Sequence, residues 1–174
     1  MTRTAEKRLE EVHRRRRIAF FTVIGLVVLI ALGALLYSQL KKDSGPSKAD
    51  DVSDRVIGDT VAIPLSEIND GRFHYYSNDI DGVKVRYFMV SDDRTGVRTA
   101  FDACDVCYAA DKGYSQSGTN AKCNNCGNTF TISQLGTENQ RGGGCWPGYL
   151  PHEIEAGQVL IKLSDLREGR YYFV

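Results

Sequence analysis

Five cysteines are the side chains best suited to chemistry in this chain of 174 residues. Four fall in two close pairs, Cys104-Asp105-Val106-Cys107 and Cys123-Asn124-Asn125-Cys126, and the fifth stands in Gly142-Gly143-Gly144-Cys145-Trp146-Pro147. Two residues between cysteines let a turn present both sulfurs to one point, so two such pairs can surround a metal with four thiolates. Gly127, directly after Cys126, suits that turn because glycine accepts a positive φ or a close backbone approach. Asp102 and Asp105 flank the first pair. Carboxylates raise thiol pKa unless a cation is near, which favours a metal-bound state or an oxygen ligand over a nucleophilic thiolate. Cys104, Cys107, Cys123 and Cys126 are therefore candidate ligands of a metal or iron-sulfur centre, with iron, zinc and copper all open, and Cys145, Asp102, Asp105 and His152 are additional candidates.

Other uses of these cysteines remain in play. Exported thiols oxidise readily, so structural disulfides compete with a metal, and two disulfides would leave Cys145 free as a fifth ligand or an alternative partner. A thiol-disulfide enzyme has less support, since neither pair opens a helix after a strand. A metal carrier is a further reading. The three glycines before Cys145 permit close backbone approach, and Trp146-Pro147 can shield one side. No CxxCH occurs for covalent haem, no Ser/His/Asp order suggests hydrolysis, and the triple glycine lacks the Lys-Ser/Thr partner of a phosphate loop. His13 precedes the apolar span, His74 lies in an expected strand, and Met89 reads as core packing.

The compartment of these thiols follows from the first forty residues. Residues 18–36 are apolar except for Thr22, and 19 residues of helix span about 28 Å, close to a bilayer's hydrocarbon core. The run is longer than a signal-peptide core, and no small-x-small cleavage site follows it, so an uncleaved anchor over residues 18–37 is expected. Seven basic residues precede it, including Arg14, Arg15, Arg16 and Arg17, against three acidic ones. That asymmetry predicts a cytoplasmic N-terminus, residues 1–17, and an exported C-terminal part in a single-pass protein of the cell membrane. The formal net charge of zero conceals the division, because residues 41–174 carry 15 basic and 19 acidic side chains. Beside a span, the basic cluster reads as a topology signal and lipid contact, and nucleic acid is not an expected partner.

Residues 38–54, rich in Lys, Ser, Asp, Gly and Pro, read as a flexible linker. The remainder, 55–174, is long enough for one modest core. Alternating apolar positions predict strands at 61–63, 73–76, 83–90, 97–101, 129–132, 159–163 and 171–174, and residues 102–110 suit a short helix. The expected fold is mainly β, a small exported domain with a cysteine-rich insertion at 102–150, preceded by one transmembrane helix. The stretch beginning Val61-Ala62-Ile63 recurs 98 residues later from Val159, with six of fourteen positions identical. Each copy predicts a strand, a turn and a second strand, and two such units can pair about a pseudo-twofold that brackets the cysteines.

Taken in order, Phe101-Asp102-Ala103-Cys104-Asp105-Val106-Cys107-Tyr108, Lys112-Gly113-Tyr114-Ser115-Gln116, Cys123-Asn124-Asn125-Cys126-Gly127, Gly143-Gly144-Cys145-Trp146-Pro147 and Leu150-Pro151 resemble the FtrD-like family of membrane iron-sulfur proteins, formerly a domain of unknown function. The likeness runs from about Val61 to the C-terminus. It implies a metal centre at Cys104, Cys107, Cys123 and Cys126, with Cys145 an associated position, and Trp146 stands where the family usually has Asn. It further implies a role beside an iron permease and an extracytoplasmic iron-binding protein, accepting electrons as ferrous iron is oxidised for uptake. The expectation is an electron-transfer or metal-binding accessory protein rather than a turnover enzyme. The alternative is a non-enzymatic module in which zinc or disulfides hold the cysteines and the β surface binds a membrane partner.

Overall fold

The computed structural model describes residues 49–92, 96–141 and 143–174. They belong to one compact unit, Pro46–Val174. The predicted span lies outside the described residues, among which no helix is long and apolar enough to cross a membrane.

The strands are β1 (Asp50–Asp51), β2 (Val56–Ile57), β3 (Thr60–Pro64), β4 (His74–Ile80), β5 (Val83–Asp92), β6 (Gly96–Phe101), β7 (Tyr114–Ser117), β8 (Asn120–Cys123), β9 (Thr129–Thr131), β10 (Glu153–Glu155) and β11 (Gln158–Lys162). One α-helix follows, α1 (Leu163–Glu168), and then a 3-10 turn over Gly169–Phe173. The strands form three sheets, ordered β1-β4-β5-β6, β10-β11-β3-β2 and β7-β8-β9. The mainly β expectation holds for the described residues.

The first sheet is the middle layer because both of its faces are apolar. Along β5, Val85, Tyr87 and Met89 join one core with Val61, Ile63, Val159, Ile161 and Leu166, while Phe88 and Val90 join a second core with Tyr114, Ala121, Leu135 and three of the cysteines. Successive side chains on a strand point to opposite faces, so the run Tyr87-Phe88-Met89-Val90 feeds both cores at once. Met89 is core packing, as expected. Tyr87 is buried with its hydroxyl donating to Asn78 Oδ1 at 2.6 Å, which satisfies the one polar atom that its burial would strand.

The recurring stretch has a structural counterpart. β3 and β11 pair antiparallel with Val61 opposite Ile161, Ala62 opposite Leu160 and Ile63 opposite Val159, so the two copies are related by a local twofold through the equivalent pair Ala62 and Leu160. Ile68 and Leu166, also equivalent, are both fully buried. Beyond that point the copies diverge. The first continues into β4, but the second winds through α1 into the 3-10 turn, and the strand predicted at 171–174 does not form. The reason is tertiary. Tyr171 and Tyr172 both donate their hydroxyls to Asp105 Oδ1, at 3.1 and 2.9 Å, and neighbouring side chains on a strand would face opposite ways. Likewise, only Tyr108–Ala110 of the helix expected at 102–110 is helical, as a 3-10 turn. Asp50 and Asp51, within the stretch read as linker, already pair in parallel with Tyr76 and Ser77.

Candidate metal centre

Three chain segments converge on the thiols. The first leaves β6, where the Asp102 amide donates to Arg86 O at 3.0 Å, and then turns through Cys104 to Cys107. The Cys107 amide donates to Cys104 Sγ at 3.2 Å and the Tyr108 amide to Cys104 O at 3.2 Å, which fold this pair into a tight turn. The second segment is set by the β7-β8 hairpin, whose register puts Tyr114 opposite Cys123. Its cysteine turn closes through the Gly127 amide to Cys123 O at 2.9 Å, with Gly127 at φ 79°, a conformation that side chains rarely adopt. The sequence expectation of a glycine-dependent turn is met here.

The third segment carries Cys145. It is tied back to the middle sheet by the Phe101 amide to Gly148 O at 2.9 Å and the Gly148 amide to Ala103 O at 2.8 Å. Gly143 and Gly144 both have positive φ, and the Gly143 amide donates to Asp105 Oδ2 at 2.9 Å. The buried Tyr114 hydroxyl donates to Cys145 O at 2.6 Å. Trp146 lies over Phe130 with ring centroids 4.5 Å apart.

Among the described residues, Cys107, Cys123, Cys126 and Cys145 place their sulfurs within 4.8 Å of one another. Cys145 Sγ is 3.0 Å from Cys126 Sγ, 3.7 Å from Cys107 Sγ and 3.6 Å from Cys104 Sγ. All five cysteines are free thiols. Cys104, Cys123 and Cys145 are buried, Cys107 is half-buried and Cys126 is exposed, so the group reaches the surface at Cys126 and in part at Cys107. Burial pushes the Cys145 thiol up, whereas its hydrogen bond to Cys126, together with the Asn128 amide, pulls Cys126 down to about 7. Cysteine sulfurs gathered on one point are a donor set suited to a soft cation.

The carboxylates and the histidine do other work. Asp102 is buried; burial pushes its pKa up to about 7 against the lowering effects of the Tyr114 amide, 2.7 Å from Oδ1, and of Arg86, 3.9 Å from Oδ2. It ties the first cysteine turn to the start of β7, and Gly113 is required beside it because a Cβ there would overlap the carboxylate. Asp105 is engaged by Gly143, Tyr171 and Tyr172; burial raises its pKa, but these donors outweigh burial and leave it below the usual carboxylate range. Its oxygens link the first cysteine turn to the glycine loop and the C-terminal turn. The sequence does not mark Tyr171 and Tyr172, where an aromatic in an alternating run signals only packing, and it marks Tyr114 only through the family resemblance. His74 is held by Asp70 Oδ1 at 2.7 Å.

His152 packs with Nδ1 2.9 Å from Thr99 Oγ1, whose hydrogen goes to Leu150 O at 2.6 Å, so Nδ1 is the donor to Thr99. Burial, then the charge of Arg98, hold its pKa below the usual 6.5. A histidine harder to protonate when folded stabilises the fold fully above the unfolded value and loses that contribution as pH falls from 6.5 through the folded value. Thermal melts followed by circular dichroism are expected to show stability declining in that window, with His152→Gln flattening the decline. An unchanged slope in the variant would remove His152 as its source.

The fold and the site together define a three-sheet β protein carrying a cluster of cysteines that could hold a metal ion. The profile of the family described as membrane iron-sulfur containing protein, FtrD-like, matches residues 68–173, more than half of the chain. The chain belongs to the FtrD-like family. No match emerged among curated proteins or among solved structures. The donor chemistry fits a metal held by sulfur, in keeping with the family's description. The spacing is narrower than a sulfide-bridged cluster needs, because sulfurs this close leave no room for inorganic sulfide and a second iron between them.

Proposed function

We propose that this protein is a single-pass, membrane-anchored metal-thiolate protein whose extracytoplasmic domain assists iron uptake by one-electron transfer. The observation that carries the reading is the convergence of thiols from three separate segments on one point that reaches the surface at Cys126 and in part at Cys107. Family membership supports the association with membranes and with iron. Residues 18–37 serve as the anchor, with residues 1–17 cytoplasmic, and the domain from about residue 55 faces outward beside an iron permease and an extracytoplasmic iron-binding protein. A bound iron supplies the one-electron couple.

The protein's own residues prepare that exchange. Buried Cys123 and Cys145, with Trp146 and Phe130 alongside, limit water around the sulfurs. The Asn128 amide donor to Cys126 favours the charged form of sulfur, which is the means by which a protein tunes such a centre. The Asp105 links to Gly143, Tyr171 and Tyr172 hold two of the three segments in register, so the sulfurs need little rearrangement as charge changes.

The full chain, purified in detergent without oxygen, is expected to contain iron, to show sulfur-to-iron charge-transfer absorption and to undergo a reversible one-electron reduction. Cys126→Ser is expected to abolish the absorption. A chain that binds no metal and has its paired cysteines joined as disulfides would overturn the reading.

A further inference from the structure

We infer that the site holds a single metal ion through Cys107, Cys123, Cys126 and Cys145, without inorganic sulfide, and that Cys104 is not a ligand. The inference rests on the reading that these thiols hold a metal at all. It departs from the ligand set that the family resemblance implies, which has Cys104 in place of Cys145, and from a polynuclear cluster.

Spacing carries the argument. Metal–sulfur bonds of about 2.3 Å in a tetrahedron put neighbouring sulfurs roughly 3.8 Å apart. Cys145 Sγ stands 3.7 Å from Cys107 Sγ and 3.0 Å from Cys126 Sγ, and all four sulfurs of the set lie within 4.8 Å of one another. In a cluster, thiolates sit on different irons and are held apart by the metal–metal separation and the bridging sulfides. The cavity whose lining includes Cys104, Cys107, Cys123 and Asn125 has a volume of only about 10 Å³, about the space for one water. No inorganic core fits there either.

Five thiols face four positions, so one must stand outside. Cys104 falls outside the mutually close set, and its sulfur already accepts the Cys107 amide within its own turn. Cys145 has the opposite character. Its sulfur is within 3.8 Å of three other cysteine sulfurs and of the Tyr114 hydroxyl, and its backbone is anchored by Tyr114. Cys104 packs in the second core beside Phe88 and Tyr114.

The test uses the full chain, purified in detergent under anaerobic conditions. Iron and acid-labile sulfide are counted per chain, and the metal-depleted protein is titrated with Co(II), whose visible bands report a tetrahedral thiolate site. The expected result is one iron and no sulfide, with cobalt saturating at one equivalent. Cys104→Ser is expected to keep that stoichiometry. Cys145→Ser is expected to weaken cobalt binding by at least about a hundredfold, the upper end of what losing even an outer partner does. Two or more irons with matching sulfide would overturn the inference while leaving the proposed function standing. Loss of the site in Cys104→Ser and its retention in Cys145→Ser would overturn the ligand set. A chain that takes up neither iron nor cobalt would defeat the proposed function itself. The sulfide count needs no variant, so the nuclearity is decided even if Cys145→Ser misfolds.

Discussion

Stripping the metal from the full chain is expected to lower its unfolding free energy by about 4 kcal/mol relative to protein held with free metal a thousandfold above Kd. The size follows from mass action, but the place where the loss falls follows from the structure. Most of the two cysteine-bearing loops at 102–113 and 143–148 lies outside any strand, and the second core includes the sulfurs of Cys104, Cys123 and Cys145. Without a cation, sulfurs held at 3.0 to 3.7 Å no longer share a charge-compensating partner. The hydrogen bonds accepted by Asp102 and Asp105 and donated by the Tyr114 hydroxyl, with the backbone pairing of Gly148, then carry the convergence. Melts under reducing conditions, with and without chelator, measure the shift. Trp146 is the only tryptophan, and its contact with Phe130 makes its fluorescence a reporter of the third segment. Identical melting temperatures and an unmoved emission would show that the ion adds nothing to the fold.

Gly169→Ala is expected to destabilise the domain by roughly 1–3 kcal/mol or more, the range for forcing extra atoms into a filled core. Gly169 is buried at the end of α1, and a Cβ there would overlap the Phe101 ring. Its φ of −83° is ordinary, so the penalty is contact and not backbone strain. Phe101 cannot retreat easily, since it packs against Tyr172 with centroids 5.7 Å apart. Displacing either ring reaches the site, because Phe101 leads into the first cysteine turn and Tyr172 donates to Asp105. Urea unfolding measures the loss, and adding Phe101→Leu, which frees volume, is expected to restore part of it through non-additive coupling. A stable single variant, or a double variant whose losses simply add, would show that the two residues do not compete for space.

Much of the fold was legible because it rests on alternation. The strands expected around Val61, His74, Val85, Val97, Thr129 and Val159 all form, since a half-buried strand writes its period of two into the sequence. The C-terminal Tyr171-Tyr172-Phe173-Val174 has equally good strand character and yet turns. Three long-range partners decide that: Asp105 for both tyrosine hydroxyls, Phe101 for the Tyr172 ring and Arg86, 5.0 Å over the Phe173 ring. None of these lies within 60 positions of the residues it engages. A local pattern cannot carry such information.

For the site, the sequence by itself determined the donor type, which is sulfur. Paired cysteines with two residues between them, a glycine after the second pair and a glycine run before the fifth thiol favour turns that present sulfur. The tertiary structure decided which sulfurs share a point. Cys104 and Cys145 are equivalent as isolated thiols, and 41 positions separate them. Asp105, Tyr114 and the pairing of Gly148 with Phe101 and Ala103 bring Cys145 into the group, while the Cys107 amide keeps Cys104 Sγ in its own turn. Ligand type is a property of a side chain and survives in any conformation, whereas ligand geometry is a property of distances, which exist only once the chain has packed.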